Sequence, residues 1–505
     1  MDKIKIGWAE VDITPDKKVS LYGQFAERIS QYVEKNLTAT AFAIDSGKDN
    51  VIFCSCDLVT TAWNLVLGVR ERLTKLNVEF DPQNVVLSAI HTHTGPGYGP
   101  KDRLSLGAEN TFVDKYKNTI RKYLAPGQKY IEKELVSQNS DIATDEEVYE
   151  LLVDRISRVI IEAWNNRKEG SFSNAFGRAA VGMCRRAAYS DDTAQMWGDT
   201  NTAVFTELEG GSDTGIELLY VFDDKKQLTG IVANLACPAQ CVQHRLFVSP
   251  DFWGEVKVLL RKKFGDNIYL LPQCSATGDQ CPVDLIRWVE PESEINDPNC
   301  TRINPPKRKA DPSMFDISGM KLTGRRIANE IIAVFEDGLD NEQKEVVFEH
   351  RVVNMQLPIR RATLTDKIQA EKGIAEYIKN TTGDVDYNDI AKLQIHFGIL
   401  ERFELQNKVD CLEVESHIIR LGSVAFATNP FELFLLYGNQ IKARANCEQT
   451  FIVQLANGSE GYLPSKKAEE HGHYSAFISS GQVGHVGGDM LVRQTLSNIN
   501  DMFER

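Results

Sequence analysis

No apolar run in this chain approaches the roughly 18 residues that a membrane-spanning helix needs. The opening, Met1-Asp2-Lys3-Ile4-Lys5-Ile6-Gly7-Trp8-Ala9-Glu10, lacks the long apolar stretch of an export signal, so a cytoplasmic location and no membrane anchor are expected. Positive charge is in deficit. Lys and Arg total 57 against 71 Asp and Glu, a formal net charge of −14. Nucleic acids and anionic membranes call for clustered positive charge, so a small molecule is the expected partner. Cysteine is too sparse, ten in 505 residues, for a disulfide framework, and reduced thiols are expected. Internal repeats, low-complexity tracts and clear linkers are also missing. Disorder, collagen and coiled coil are excluded as the main state by 42% hydrophobic and 25% charged residues.

What is present is a large enzyme-sized core. Strand-like runs cover Thr38–Asp45 and Val51–Leu58, joined by a hairpin-type turn. A helical pattern follows from Trp63 to Leu76. The buried-strand run Val85–Ile90 then ends in a polar Gly/Pro loop. Strand, helix, strand and loop make an α/β unit, in which ligands bind outside the carboxyl ends of the strands. Further strands are expected near Thr202–Glu207, Gly215–Phe222, Thr229–Ala236, Ile268–Leu271, Val346–Leu357 and Val414–Thr428. Helices are expected over Glu146–Asn166, Ile317–Phe335, Glu432–Ala445 and Asp489–Met502. The fold class is therefore α/β, with mixed β-sheets flanked by helices. One unit spanning 1–505 is expected, any subdivision falling at 1–345 and 346–505, with insertions at about 100–145 and 283–312. Nothing in the pattern sets an oligomeric state.

Five loops carry residues suited to chemistry. His91-Thr92-His93 ends a strand, where alternate residues point to one side and two imidazoles can converge. Locally the pair suits a metal site and two satisfied polar histidines equally. Cys237-Pro238-Ala239-Gln240-Cys241-Val242-Gln243-His244 could offer thiolate and imidazole to zinc. It reads as well as two small buried hydrophobes and a surface histidine. Gly278-Asp279-Gln280-Cys281-Pro282 presents a thiol from a tight loop, either a nucleophile or an inert buried group. Asn429-Pro430-Phe431-Glu432 places a carboxylate where a helix opens, as a metal ligand or a partner of the helix dipole. Gly461-Tyr462-Leu463-Pro464, with His471-Gly472-His473-Tyr474, completes the set.

In order and spacing these loops resemble the neutral/alkaline non-lysosomal ceramidases, a family of zinc amidases. That family's His-Thr-His-Ser-Gly-Pro-Gly loop is matched by His91-Thr92-His93-Thr94-Gly95-Pro96-Gly97. Its Asn-Arg-Ser element is matched by Cys184-Arg185-Arg186, its Gly-Asp-Val-Ser-Pro loop by Gly278 to Pro282, and its Pro-Phe-Glu element by Pro430-Phe431-Glu432. Tyr462-Leu463-Pro464-Ser465 and Tyr474 stand where the family has two tyrosines. Ala9-Glu10-Val11-Asp12-Ile13-Thr14-Pro15, followed by Gly23, resembles its start. The resemblance implies a catalytic domain of that kind without the family's C-terminal β-sandwich domain. It implies zinc held by His91, Glu432, Tyr462 and whatever stands at the second-histidine position. It further implies that His93, Arg185 and Tyr474 meet the substrate or its reacting carbonyl. Gly23, Arg185 and His244 are the expected substrate-binding residues.

Two departures bear on the chemistry. Cys237 occupies the second-histidine position, which makes a thiolate the expected fourth ligand, with His244 as the alternative. Cys281 replaces a serine and is a candidate catalytic group. Three functions follow. The first is a zinc-dependent hydrolase of an amide or ester in a soluble substrate. The second is a metal-free thiol hydrolase using Cys281. The third is a non-catalytic protein that keeps the pocket for binding.

Overall fold

Alternation along the strands sorts their side chains between two different partners. The computed structural model describes residues 2–24, 27–104, 112–132, 139–289, 309–310, 315–339 and 341–504. Its larger sheet has eight strands: β1 (Lys5–Asp12), β2 (Thr38–Asp45), β3 (Asn50–Cys56), β4 (Val85–Ala89), β5 (Lys168–Arg178), β6 (Gly215–Asp223), β7 (Leu228–Leu235) and β8 (Tyr269–Cys274). They lie in the order β8-β7-β6-β5-β1-β2-β3-β4. The end pairs β7/β8 and β3/β4 are parallel, and the pairs between them are antiparallel. A second sheet holds β9 (Phe348–Pro358), β10 (Cys411–Leu421), β11 (Val424–Thr428) and β12 (Gln449–Val453) in that order, with β11/β12 parallel.

On β3, Val51 and Phe53 face the second sheet, whereas Ile52, Cys54 and Cys56 face helices. On β6, Leu219 and Val221 face the second sheet and Leu218, Tyr220 and Phe222 face helices. Such strands are buried on both faces, which explains their near-continuous apolar sequence. Phe53 and Phe426 meet across the inter-sheet layer with ring centroids 5.0 Å apart. Each large apolar side chain buried there contributes about 1.5–3 kcal/mol.

Helices α1 (Trp63–Lys75) and α2 (Asp145–Asn165) cover one part of the outer face of the large sheet. Helices α3 (Phe252–Phe264) and α4 (Asp316–Ala333) cover the other. Thr144 caps α2 reciprocally with Glu147, which fixes where that helix starts. A pair, α5 (Leu364–Asn380) and α6 (Tyr387–Leu405), forms a satellite with its own small core around Ile374, Leu393 and Phe397. Helices α7 (Leu435–Arg444) and α8 (His485–Glu504) back the second sheet. The layers therefore run helix, sheet, sheet, helix, and the expected mixed sheets flanked by helices are present.

Three details differ from the sequence reading. The run 414–428 is two strands, turned at Gly422, whose φ of +60° suits a residue without a Cβ. The helix after Asn429-Pro430 begins only at Leu435, because Glu432–Leu433 pairs in parallel with Tyr462–Leu463. Glu432 is thus held by a strand bridge rather than by a helix start. In the expected insertion at 100–145, a helix over Phe112–Ile120 packs its Tyr116 and Ile120 into the α5/α6 core. Residues 105–111 and 133–138 lie outside the described residues, as does most of the second expected insertion, at 290–308 and 311–312. Among the described residues no helix is long and apolar enough to cross a membrane.

Candidate active site

The chemistry-bearing loops leave the carboxyl ends of the parallel strands. His91 lies just beyond β4, Cys237 beyond β7, Gly278 beyond β8, Glu432 beyond β11 and Tyr462 beyond β12. Two sheets stacked face to face bring these ends to one place, as open α/β sheets do with their crevices.

His91 has a φ of +65°, a strained setting for a residue with a Cβ. Its Nδ1 lies 2.9 Å from the Val59 carbonyl oxygen, which can only accept, so Nδ1 carries the proton. In a neutral ring Nε2 is then the lone pair, and it points inward. It lies 3.4 Å from Glu432 Oε2 and 3.3 Å from His93 Nε2. The Tyr462 hydroxyl is within hydrogen-bonding reach of both Glu432 and Tyr474. Burial pushes the Glu432 carboxyl up, but His91 and Arg185 outweigh it and hold the group below its ordinary value.

Arg185 is 2% exposed and donates to the Gly278 carbonyl at 2.8 Å and to the Tyr462 hydroxyl at 3.3 Å. Its Nε is buried without a partner among the described residues. Burial works against its charge, while Tyr462 and Glu432 keep it firmly protonated. His93 is buried, and burial, His91 and Arg28 push its pKa well below the usual histidine value. The ring is neutral at physiological pH. The structure therefore brings His91, His93, Glu432, Tyr462, Tyr474 and Arg185 into one cluster.

Gly23 belongs to it by shape. A Cβ there would lie 2.7 Å from His93 Cγ, and its φ is +103°. The missing side chain of Gly278 serves the other wall, since a Cβ would sit 2.3 Å from the Glu432 carbonyl oxygen. Asp279 Oδ1 accepts from Leu435 N at 2.9 Å and its carbonyl accepts from Arg185 N at 2.9 Å. One Gly-Asp step thereby positions both Arg185 and the segment carrying Glu432.

Several groups escaped the sequence reading. Gln240 presents its amide nitrogen 3.0 Å from His93 Nε2. Arg28, 1% exposed, donates to the carbonyls of Tyr22, His93 and Gln243 and so pins three loops. Glu460 is buried beside the cleft, where burial and Asp102 push its carboxyl up to about 8. Gln240 sits in the Cys237–His244 run already singled out, and Glu460 sits one residue before the Gly461–Pro464 motif. No signal in the sequence marks Arg28.

The cysteines and His244 make contacts of their own. Cys237 is fully buried, with its sulfur 3.2 Å from the Val181 carbonyl oxygen, and it forms no hydrogen bond with His91, Glu432 or Tyr462. Burial, with Cys281 and Cys274 nearby, raises its thiol well above the ordinary value. Cys281 donates to the Val283 carbonyl at 3.3 Å, and burial pushes it up to about 12 despite the nearness of Arg185. His244 lies 3.2 Å from Asp316 and stacks on Phe315, ring centroids 4.7 Å apart. Among the described residues no group of three or more His, Cys, Asp and Glu is arranged to hold a metal ion. The expected quartet is thus assembled only as His91, Glu432 and Tyr462.

Those three fit a cation by donor chemistry. An imidazole nitrogen, a carboxylate and a phenol converge, and a cation between His91 Nε2 and Glu432 Oε2, 3.4 Å apart, would satisfy both.

No family model and no curated protein matches this chain. Solved structures do, two ceramidases among them. The neutral ceramidase from Pseudomonas aeruginosa is 16% identical, with a TM-score of 0.66, and the match covers 100% of this chain and 75% of that one. A ceramidase complexed with C2 is 14% identical, with a TM-score of 0.68, covering 100% and 76%. The chain has a neutral ceramidase-like fold.

Proposed function

We propose that this protein is a zinc-dependent hydrolase that cleaves an amide or ester bond in a small polar substrate. The observation that carries the reading is the convergence of His91 Nε2, the Glu432 carboxylate and the Tyr462 hydroxyl at one end of the stacked sheets. The likeness of the fold to ceramidases supports the same reaction class.

His91, Glu432 and Tyr462 are the residues that would hold the metal, with Cys237 outside the set. A bound zinc supplies polarisation of the acyl oxygen and a more acidic water. The protein's own groups supply the rest. Val59 fixes the His91 tautomer, so that its Nε2 stays a donor of electrons. Arg185, locked by Gly278, sets a permanent positive charge beside Tyr462, where negative charge develops on the acyl oxygen or remains on a carboxylate product. Neutral His93 and the Tyr474 hydroxyl complete the polar wall. The thiol reading is not favoured, because a fully buried Cys281 thiol pushed up to about 12 stays protonated at neutral pH.

The test is release of primary amine from a panel of short N-acyl amides by the zinc-loaded full chain. Wild type is expected to turn over at least one of them, and Glu432→Gln and Arg185→Met none. Turnover that survives in Glu432→Gln, or absence of turnover across the panel and the matching esters, overturns the reading.

A further inference from the structure

A second cleft, enclosing about 430 Å³, opens where the layer between the two sheets turns from apolar to polar. It shares no lining residue with the cleft at Glu432 and Tyr462. Strand alternation accounts for it. On β6, Glu217 stands two residues before Leu219 and four before Val221, in the row that faces the second sheet. Phe176 of β5 is its direct cross-strand partner, and Asn174 lies two residues earlier on the same face. Gln449, the first residue of β12, meets them from the second sheet. A row that fills the core elsewhere thus ends in a carboxylate, an amide and an aromatic ring.

The polar groups of this floor are buried, Glu217 and Asn174 at 5% exposure and Gln449 at 9%, so each needs partners. Asn174 donates to Gln449 Oε1 at 3.2 Å, and Gln449 donates to Glu217 Oε2 at 2.6 Å. Lys442 of α7 lies 3.0 Å from both Glu217 Oε1 and Asp213 Oδ2. Valences remain after these bonds are counted. Lys442 spends two of its three protons and Asn174 one of its two amide protons, while each Glu217 oxygen accepts one bond and has room for another. Open donors and open acceptors therefore stand side by side. Phe176 adds a different surface. Gly215 leaves room for its ring, since a Cβ there would lie 3.0 Å from it, and the Arg178 guanidinium lies 4.9 Å from the ring centroid. The residue is still 46% exposed.

An alkyl chain would leave the open valences unmet. An anion would face Glu217, Asp337 and Glu448, which all line the cleft. An ammonium group would compete with Lys442, which already neutralises Glu217. A hydroxyl both donates and accepts, so it can bridge Lys442 and Glu217. A ring that carries neighbouring hydroxyls and one face of C–H groups suits the floor and Phe176 together, because those C–H groups are weakly positive and the aromatic face is negative.

We propose that this cleft binds a pyranose unit of a saccharide, with Phe176 stacked on its C–H face and Glu217, Lys442 and Asn174 bonded to its hydroxyls. The volume lies within the range of about 300–1,000 Å³ usual for small-molecule sites. The site stands apart from the catalytic cluster and does not depend on the hydrolase reading.

The test is a saturation-transfer NMR titration of the full chain at neutral pH. The probes are methyl β-D-glucopyranoside, methyl β-D-galactopyranoside, methyl α-D-mannopyranoside and N-acetylglucosamine, with cyclohexanol and butylamine as controls. At least one sugar is expected to bind saturably with about millimolar affinity, the range reached by a ligand of roughly a dozen heavy atoms. Phe176→Leu, which keeps apolar bulk and loses the ring, is expected to weaken that sugar about fivefold. Phe176→Tyr, which keeps the ring, is expected to bind it within about twofold of wild type. No saturable binding of any of the four sugars overturns the proposal, as do controls that bind as tightly as the best sugar. Affinity unchanged in Phe176→Leu also overturns it. If that variant does not fold, loss of binding in folded Phe176→Tyr does so.

Discussion

The Nε2 atoms of His91 and His93 lie 3.3 Å apart, both turned toward Glu432 and Gln240. The Val59 carbonyl takes the proton-bearing Nδ1 of His91, and the Gln240 amide nitrogen donates to Nε2 of His93. With Glu432 Oε2 at 3.4 Å, three groups able to accept converge, an arrangement that a cation between them would favour. Removing Gln240's donor frees His93 to protonate Nε2 and satisfy His91 by itself. Gln240→Leu is therefore expected to weaken metal affinity about 10–100-fold, as loss of an outer-shell partner does. Competition with a chromophoric chelator measures this, and unchanged affinity counts against the acceptor cluster.

Gly23 is the second test of geometry. Ala at this position places a methyl 2.7 Å from His93 Cγ and forces a side chain into φ +103°. The backbone strain alone is about 1–3 kcal/mol. Gly23→Ala is expected to lower kcat/KM for the best amide about tenfold or more, through displacement of the His93 ring. Activity and stability both at wild-type level would show that the close approach is not needed.

Thiol reactivity separates the metal and thiol chemistries. Seven of the nine described cysteines are buried, including Cys237 and Cys281, while Cys411 is exposed. Labelling the native protein with iodoacetamide at neutral pH, followed by peptide mapping, should modify Cys411 and spare Cys281 until denaturant is added. Rapid modification of Cys281 in the native state would revive a nucleophilic thiol.

Much of this site was legible because strand ends leave clear marks. Val85–Ala89 stops at a His-x-His and a Gly/Pro loop, and Val424–Thr428 stops at Asn429-Pro430, so apolar runs point directly at His91 and Glu432. Which way Cys237 turns was not legible in the sequence. Position in the chain says which loop a side chain belongs to, but only packing says which way it turns, and this thiol turns to the Val181 carbonyl. Strands β1, β5 and β12 were missed, as were the helices α3, α5 and α6. Of these, α5 and α6 bury only one narrow face each, around Ile374 and Leu393, in a satellite core remote from the main sheets. Arg28 was invisible because its four acceptors are backbone carbonyls, which any residue supplies.

Acid sensitivity has an identifiable source away from the site. Glu415 receives two hydrogen bonds from Arg70, at 2.7 and 2.9 Å, and further ones from His417 and Asn457. Burial pushes its carboxyl up, but His417 and Arg70 outweigh this and hold it far below the ordinary 4.5. A carboxylate with a depressed folded-state value contributes stability that is complete above 4.5 and is lost as pH falls through and below it. The thermal midpoint of wild type is therefore expected to drop below pH 4.5 more steeply than that of Glu415→Gln. Arg70→Met, which strands the buried charge, is expected to cost about 3–5 kcal/mol at neutral pH. Parallel pH profiles for wild type and Glu415→Gln would contradict the assignment.

Metal content by elemental mass spectrometry, on zinc-incubated and desalted wild type, His91→Ala and Cys237→Ala side by side, tests the central claim most directly. The arrangement of His91, Glu432 and Tyr462 calls for about one zinc per chain in wild type. It also calls for retention of that zinc in Cys237→Ala and its loss in His91→Ala. No zinc in wild type, or zinc that persists without His91, would contradict it.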